Sequence, residues 1–289
     1  MNSTKIIAGV GEIAAGFDGV IMDLWGCMHD GITAYPSALD CLKRLKAVGK
    51  KIAVVSNAPR RAEEVATRMA ELGIGPELYD ALLSSGEESW RYLKTRPDDA
   101  AKRMGKRAYV IMAARDAAFL QGLELDVTTE VDTAAFLLVC GVEGPSDQVA
   151  DFDAVLKRAC WDRLPMLCAN PDLMVHRGDV AEICAGALAQ YYEQLGGRVI
   201  YHGKPHAGIY QRVLQELGLS DPRRLIGIGD SFRTDIAGAA GCGAQSLMIA
   251  GGIHRAEVMQ SGRLDVAYLA KAAAQFAAVP DFAMQYLAW

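Results

Sequence analysis

The sequence predicts an α/β fold with a doubly wound parallel sheet. Short apolar runs alternate with amphipathic stretches near both ends of the chain. These runs lack the apolar–polar alternation of half-exposed strands, which is typical of strands buried on both faces and joined by helical crossovers. A chain of 289 residues, 51% hydrophobic and 22% charged, is also long enough to bury a sizeable core as one large domain or two smaller ones.

The outer segments of the chain follow the order strand, helix, strand. In the first segment, strands are predicted at GVIMDLW and KIAVVSN, and helices over 36–48 and 59–72. The last segment repeats this pattern, with strands at RVIYHGK, RLIGIGD and AQSLMIA and helices over 207–217 and 234–240. We therefore predict a single core built from 1–85 and 198–289.

The middle segment, 86–197, is predicted to be an inserted α/β domain. It has strands at RAYVIM, AAFLLVCGV and PMLCAN and helices over 148–160 and 180–194. No linker rich in Pro, Gly or Ser marks its edges. The prediction of an insertion therefore depends on the candidate catalytic residues, which lie on both sides of this segment and skip it.

Charge and cysteine content exclude several classes of function. Thirty basic and thirty-five acidic side chains give a net charge of −5, so no general attraction to nucleic acid or anionic membranes is expected. The longest apolar run, over 134–142, is far shorter than the roughly 20 residues of a membrane span, and the N-terminal segment does not resemble a signal peptide. We expect a cytoplasmic protein. Seven scattered cysteines without a C-x-x-C pair predict neither a disulfide framework nor a zinc motif.

Polar side chains end four of the predicted strands: Asp23, Ser56 with Asn57, Lys204 and Asp230. In open α/β sheets ligands bind at these carboxyl ends. Asp23 and Asp230 can share Mg²⁺, which prefers oxygen ligands, and one of them can attack phosphorus. Lys204 and Ser56 supply a positive charge and a hydroxyl donor, both suited to a phosphoryl group.

The order of these segments resembles the haloacid dehalogenase-like (HAD) hydrolase superfamily, and in detail its class IIA phosphatases with a large inserted α/β cap. GVIMDLWGCMHDG, VVSNAP, YHGKPH and GIGDSFRTD are similar to the four motifs of the superfamily, and CANPD is similar to the N-x-D signature of this branch. The resemblance implies a Rossmann-like core, with 86–197 as the cap.

The resemblance also implies a Mg²⁺-dependent phosphatase for a small phosphate ester, such as a sugar phosphate, a nucleotide or pyridoxal phosphate, acting through an aspartyl-phosphate. Assembly into a homo-oligomer is compatible with this resemblance. The catalytic residues would be the nucleophile Asp23, the phosphoryl-binding Ser56 and the charge-neutralising Lys204. The metal ligands would be Asp23, the main-chain carbonyl of Trp25, and Asp230, with Asp235 supporting the metal shell. Asn57, Asn170, Asp172 and His29 would contact the substrate.

One residue departs from the motifs. The phosphatases of the superfamily read D-x-D in motif one, where the second Asp protonates the leaving group, whereas this chain reads Asp23-Leu24-Trp25. An indole cannot act as that acid, and such catalysis contributes about 10²–10⁴-fold in rate. Three outcomes remain: activity on esters with good leaving groups, replacement of the acid by His29 or Asp30, or a phosphate-ligand binding or regulatory protein with impaired turnover.

Three further segments carry weaker signals. The glycines at 9–14 fit G-x-G-x-x-A, but no full strand precedes them, so a dinucleotide site is not expected. The apolar tail at 280–289 predicts docking on the core or a subunit contact. His176 and Arg177 fall in a predicted loop, from which they either reach a substrate anion or face solvent.

Overall fold

The computed structural model describes residues 4–177 and 180–289. The chain divides into two compact units. The core unit contains the residues up to Ser56, Ala66–Leu83 and Lys204–Trp289, and the inserted unit contains Asn57–Val65 and Ser84–Gly203. Within the described residues, no helix has the length and hydropathy of a membrane span.

The core unit is a mostly parallel sheet with helices on both faces. Its strands are β1 (Lys5–Ile6), β2 (Gly19–Met22), β3 (Lys51–Ser56), β4 (Ala81–Ser84), β12 (Leu225–Gly229), β13 (Gln245–Ile249) and β16 (Phe282–Met284). In the described residues these seven strands have the order β1-β16-β13-β12-β2-β3-β4. Its helices are α1 (Pro36–Ala47), α2 (Ala62–Glu71, of which residues from 66 on belong to this unit), α7 (Ala207–Leu217), α8 (Ala237–Cys242), α9 (Arg255–Val258) and α10 (Val266–Gln275). A small ladder pairs β14 (Met259–Gln260) with β15 (Arg263–Leu264).

The two faces of this sheet bury different sets of apolar residues. On one face, Ile21 and Val55 pack with Ile209 and Val213 of α7. On the other face, Met248 packs with apolar residues of α10. Every residue of β2 and β12 is buried, which explains why these runs show no alternation in the sequence.

The inserted unit has a parallel sheet of its own, with the order β11-β8-β7-β5-β6. Its strands are β5 (Arg107–Ile111), β6 (Asp126–Thr128), β7 (Phe136–Val139), β8 (Met166–Cys168), β9 (Met174–Arg177), β10 (Val180–Ile183) and β11 (Val199–Tyr201). Its helices are α3 (Ser85–Thr95), α4 (Asp99–Arg103), α5 (Asp153–Trp161) and α6 (Ala185–Gln194). Leu137 and Val139 face α5 and α6, whereas Phe136 and Leu138 pack with residues of α3.

The prediction of a helix over 180–194 is wrong for its first residues. Val180–Ile183 is a strand that pairs antiparallel with Met174–Arg177, and the helix begins only at Ala185. Glu182 is buried there and pairs with Arg115 at 2.6 Å, a long-range contact that a helical pattern in the sequence does not reveal. His176 and Arg177 therefore lie in a strand, not in the predicted loop, and their side chains lie outside the described residues.

The tail at 280–289 docks on the core of its own chain, one of the two predicted outcomes. Its strand β16 pairs in parallel with both β1 and β13. The glycine-rich segment before β2 forms a 3₁₀ turn at Val10–Glu12, and Trp289 lies so close to Gly9 that an added Cβ would approach its carbonyl to 2.2 Å. The strand–glycine–helix arrangement of a dinucleotide site is not formed at 9–14.

Candidate active site

Asp23 and Asp230 leave the sheet side by side. Each follows the last residue of a strand, and the two strands, β2 and β12, pair in parallel with Met22 opposite Ile228. The main-chain N–H of Asp23 donates to the carbonyl of Ile228 at 2.9 Å, which fixes this register up to the site. Both carboxylates are buried, 9% and 6% exposed, and this edge of a parallel sheet is where ligands bind.

Lys204 ties two carboxylates together from the segment that leads into α7. Its Nζ donates to Asp23 Oδ1 at 2.5 Å and to Asp235 Oδ1 at 2.7 Å, and the side chain is 3% exposed. Burial alone would lower the pKa of Lys204, but the charges of Asp23 and Asp235 raise it well above its ordinary value. Lys204 is therefore a permanent cation that orients the carboxylate of Asp23.

Asp235 reaches the same place through an irregular turn. The segment Phe232–Ile236 is π-helical rather than the predicted start of an α-helix, which begins at Ala237. Asp235 Oδ2 accepts from the main-chain N–H of Ser231 at 3.1 Å, so the carboxylate points back towards the sheet. Asp23, Asp230 and Asp235 together form what we call the carboxylate cluster.

The carboxylate of Asp230 sits in a cradle that only glycine allows. Its Oδ2 accepts from the main-chain N–H of Ile253 at 2.8 Å. A Cβ added at Gly26 or at Gly252 would lie 2.0 Å from that oxygen. Burial first, and then the charges of Asp23 and Asp235, raise the pKa of Asp230 well above its ordinary value. The cluster thus has more acidic groups than the one ammonium bonded to it can balance, and a cation bound there would favour ionisation of Asp230.

The loop that supplies the Ile253 N–H is anchored by an aromatic group. The imidazole of His254 packs against both Phe232 and Phe276, with ring centroids 5.0 and 4.9 Å away, and the two phenyl rings stack on each other at 5.4 Å. Its Nδ1 lies 2.8 Å from a carboxylate oxygen of Glu257. Phe232 belongs to the same segment as Asp230, so this group ties the two sides of the cradle to each other.

Cys27 is a member of the site that the sequence analysis did not assign. Its Sγ and a carboxylate oxygen from each of Asp23 and Asp230 all lie within 4.8 Å of one another. The side chain is 1% exposed, and burial together with the neighbouring carboxylates raises the pKa of the thiol well above its ordinary value. Its position four residues after Asp23 was the only signal available in the sequence.

Three of the residues predicted to contact substrate come together in the inserted unit. Asn57 Nδ2 donates to Asp172 Oδ1 at 2.9 Å, and Asn170 Oδ1 accepts from the main-chain N–H of Asp172 at 3.0 Å. Ser85 Oγ donates to the carbonyls of Asn57 and Ala169, at 2.7 and 2.5 Å. These hydrogen bonds join the segment at Asn57 to the segment around Asn170. Ser56, the last residue of β3, belongs to the core unit.

Comparison with known proteins identifies the family. The family model for haloacid dehalogenase-like hydrolases matches residues 20–126, and a second HAD-hydrolase-like model matches 201–278. Human chronophin is 30% identical, over 97% of this chain and 94% of its own length. The chain belongs to the haloacid dehalogenase-like hydrolases. A crystal structure of a haloacid dehalogenase-like hydrolase from Brucella suis 1330 is 33% identical with a TM-score of 0.82, covering 98% of this chain and all of the other.

The phosphatases of the HAD family give the enzyme class. Ribonucleotide monophosphatase NagD of Escherichia coli K12 is 24% identical, over 84% of this chain and 91% of its own length. The predicted resemblance to class IIA, the α/β core with a cap, and the assignment as a phosphoric monoester hydrolase are confirmed. The protein is a HAD phosphatase that acts on small phosphorylated compounds.

The loop after Asp23 shows what this HAD phosphatase has in place of the second motif-one Asp. The indole of Trp25 lies against Gly31, whose added Cβ would be 2.5 Å from the ring, and its centroid is 5.2 Å from that of His29. His29 is 5% exposed, and its Nδ1 accepts from the main-chain N–H of Gly31 at 2.9 Å. The ring therefore carries its proton on Nε2.

Neither neighbour of Trp25 has the properties of a replacement acid. Burial lowers the pKa of His29 to about 4, so the ring is neutral at pH 7 and keeps its one N–H on Nε2. Asp30 accepts from the N–H groups of Thr33 and Ile32, and these bonds lower its pKa. Asp30 is therefore ionised and has no proton to give. These pKa shifts disfavour both candidates that the sequence left open.

Proposed function

We propose that this protein is a Mg²⁺-dependent phosphatase that hydrolyses a small phosphorylated metabolite through a phosphorylated Asp23. The observation that carries the proposal is the buried carboxylate cluster with Lys204 at the carboxyl ends of β2 and β12. A buried excess of negative charge needs a compensating cation, since uncompensated buried charges are strongly unfavourable. The carboxylate cluster lies at the carboxyl ends of parallel strands, which is where α/β proteins bind ligands.

The donor set fits magnesium. Asp23, Asp230 and the main-chain carbonyl of Trp25 would hold the ion, and Asp235 would support the shell. All of these donors are oxygens, which Mg²⁺ prefers, and few carboxylates are needed because waters and substrate oxygens complete its coordination. When bound, Mg²⁺ supplies neutralisation of the charge on the phosphoryl oxygens.

The residues of the chain carry the chemical steps. A carboxylate oxygen of Asp23 forms a bond to phosphorus while the P–O bond of the ester breaks, and the leaving oxygen departs as an oxyanion that takes its proton from water. Lys204, hydrogen-bonded to Asp23 Oδ1, keeps the nucleophile oriented and balances the charge of the intermediate. Ser56 would donate its hydroxyl to a phosphoryl oxygen. Water then attacks the phosphorus of the acyl phosphate, which releases phosphate and restores Asp23.

Trp25 sets the expected substrate preference. Because position 25 offers no acid, and His29 is neutral in the folded protein, a leaving oxygen that needs no protonation should react fastest. We propose that aryl-like or otherwise acidic leaving groups are preferred within the class of sugar phosphates, nucleotides and pyridoxal phosphate. The inserted unit is proposed to act as the cap that selects the substrate, with contributions from His29, Asn57, Asn170 and Asp172.

The experiment measures Mg²⁺-dependent phosphate release from an aryl phosphate, a sugar phosphate, a nucleotide and pyridoxal phosphate. Wild type is compared with Asp23→Asn and Trp25→Asp. Asp18→Asn is the matched control, because Asp18 is a carboxylate of the core unit that pairs with Arg224 outside the cluster. Loss of turnover in Asp23→Asn alone supports the proposal, and Trp25→Asp should raise the rate on alkyl phosphates by about 10²–10⁴-fold.

A second candidate function follows from the same tryptophan. If wild type binds phosphate compounds but releases no phosphate, and Trp25→Asp gains activity, the protein is a phosphate-ligand binding or regulatory protein on a phosphatase fold.

Cytoplasmic location is part of the proposal and is tested by fractionation of cells. Assembly into a homo-oligomer is tested by light scattering.

A further inference from the structure

The loop over 250–253 is supported by the C-terminal tail of the chain. Parallel pairing between β13 and β16 continues past both strands, because the main-chain N–H of Ala250 donates to the carbonyl of Met284 at 2.9 Å. The N–H of Gly251 then donates to the carbonyl of Gln285 at 2.8 Å. The tail therefore runs beside this loop up to the residues that contact the carboxylate cluster.

Tyr286 packs its ring directly on the main chain of the loop. A Cβ added at Gly251 would lie 2.2 Å from Tyr286 Cε1, so only glycine allows the ring to come this close. A Cβ added at the next residue, Gly252, would lie 2.0 Å from Asp230 Oδ2, and Ile253 donates its N–H to that oxygen at 2.8 Å. Of three consecutive loop residues, the first contacts the tyrosine ring and the other two contact the carboxylate of Asp230.

The tail is held in place on both sides of this ring by other contacts. Before Tyr286 lies the paired strand β16. After it, Leu287 is 2% exposed, and the carbonyl of Ala288 accepts from the main-chain N–H of Val10 at 3.0 Å. Tyr286 itself is 45% exposed, and truncation of an exposed side chain usually changes the free energy of unfolding by no more than about 0.5 kcal/mol. The tail is thus anchored well enough to hold the ring, whereas the ring adds little to the core.

We propose that Tyr286 is a positioning residue of the magnesium site, which acts by holding the loop over 250–253 against Asp230. The Ile253 N–H orients the carboxylate of Asp230, and partners that orient a metal ligand change the affinity for the ion by about 10–100-fold. Without the ring the loop gains freedom, and Asp230 spends less time in the orientation that the ion needs. The inference rests on the proposed function, because it assigns Tyr286 to the same site.

The test compares Tyr286→Ala and Tyr286→Phe in the full chain. Mg²⁺ affinity is measured by calorimetry after removal of metals with a chelator. Exchange of the Ile253 amide proton is followed by NMR on the metal-free protein, since it reports local opening of the loop. Tyr268→Ala is the matched control, because Tyr268 is another tyrosine of the core unit and is 44% exposed. Gly251→Ala, whose Cβ displaces the ring without removing it, is a second variant in case Tyr286→Ala does not fold.

Tyr286→Ala should bind Mg²⁺ about 10–100-fold more weakly and exchange the Ile253 amide proton faster, with a melting temperature close to that of wild type. Gly251→Ala should show the same loss of affinity. Tyr286→Phe keeps the ring and should restore both properties, and Tyr268→Ala should change neither.

An unchanged Mg²⁺ affinity in folded Tyr286→Ala would overturn the inference, whether or not the amide exchange changes. An equal loss of affinity in Tyr268→Ala would do so as well, because the effect would then not be specific to this loop. If wild type still releases phosphate with Mg²⁺ in either case, the proposed function stands. If wild type binds no Mg²⁺, the proposed function fails, and the inference fails with it.

Discussion

A stability measurement can test whether His29 could replace the missing acid, because it reports the pKa of His29 in the folded protein. The perturbation is His29→Asn, because the Oδ1 of asparagine can still accept the Gly31 N–H that now donates to Nδ1 at 2.9 Å. Burial lowers the pKa of His29 from 6.5 to about 4. In the unfolded chain the ring takes up a proton below pH 6.5, whereas in the folded protein it stays neutral down to about pH 4.

Protons therefore favour the unfolded chain in this interval. The free energy of unfolding of wild type should fall, relative to His29→Asn, as the pH falls from 6.5 to 4, and the difference should level off below pH 4. At about 1.4 kcal/mol per pH unit, the relative loss amounts to about 3 kcal/mol. Above pH 6.5 the two proteins should differ by a constant amount.

Urea denaturation of wild type and His29→Asn across this pH range is the assay, with His29→Gln as a second variant that also lacks a titrating ring. Other groups titrate in the same interval, and the comparison between the proteins cancels them. A difference that does not change with pH would refute the reasoning. It would mean that folded His29 binds its proton as readily as the unfolded chain does, and the ring would return as a candidate acid.

Three further outcomes are expected. Replacing Lys204 with Met should lower the free energy of unfolding by about 3–5 kcal/mol in the presence of a chelator, because both of its carboxylate partners lose a buried counter-ion. A loss below about 1 kcal/mol in urea denaturation would contradict this, since it would mean that the ion pairs are as weak as exposed surface pairs. Gly252→Ala should weaken Mg²⁺ binding in calorimetry, since its Cβ would lie 2.0 Å from Asp230 Oδ2. Gly241→Ala, where an added Cβ meets nothing within 4 Å, should bind as wild type does, and equal affinities for the two variants would contradict this account. His254→Ala should weaken Mg²⁺ binding about 10–100-fold by loosening the loop that holds Asp230, whereas a lower melting temperature with unchanged affinity would leave that ring a packing role alone.

The carboxyl ends of β2 and β12 could be found from the sequence because two separate signals agree there. An apolar run marks each strand, and the first polar residue after it marks the end, so Asp23 and Asp230 fall at one edge once the strands pair in parallel. The sequence does not state that the strands are neighbours. The resemblance to a family placed Asp23 and Asp230 in one site, and the parallel pairing of β2 with β12 is the physical basis of that site.

The parts that escaped the sequence depend on contacts between distant residues. Val180–Ile183 continues a helical pattern into α6, yet it forms a strand that pairs with β9, and Glu182 in this strand forms an ion pair with the distant Arg115. Nothing near Gly252 in the sequence marks it as a wall of the site, since only the fold carries this loop to Asp230. The sequence pattern around Cys27 does not mark it as a site residue, because its position beside two carboxylates depends on a turn that residue types alone do not specify.

The pairing of β1 with β16 also bears on how the protein is made. Thr4 Oγ1 donates to the carbonyl of Pro280 across 276 positions of the chain, and Lys5 pairs with Phe282. At a synthesis rate of about 5–20 residues per second, the first of these segments leaves the ribosome roughly 15–55 s before its partner exists. During translation the edge of β13 that receives β16 is exposed as well. The N-terminal strand of the nascent chain thus lacks its partner for most of synthesis, whereas the edge of β13 lacks its partner only while residues 249 to 282 are made. These unpaired edges are where a chaperone would be expected to bind.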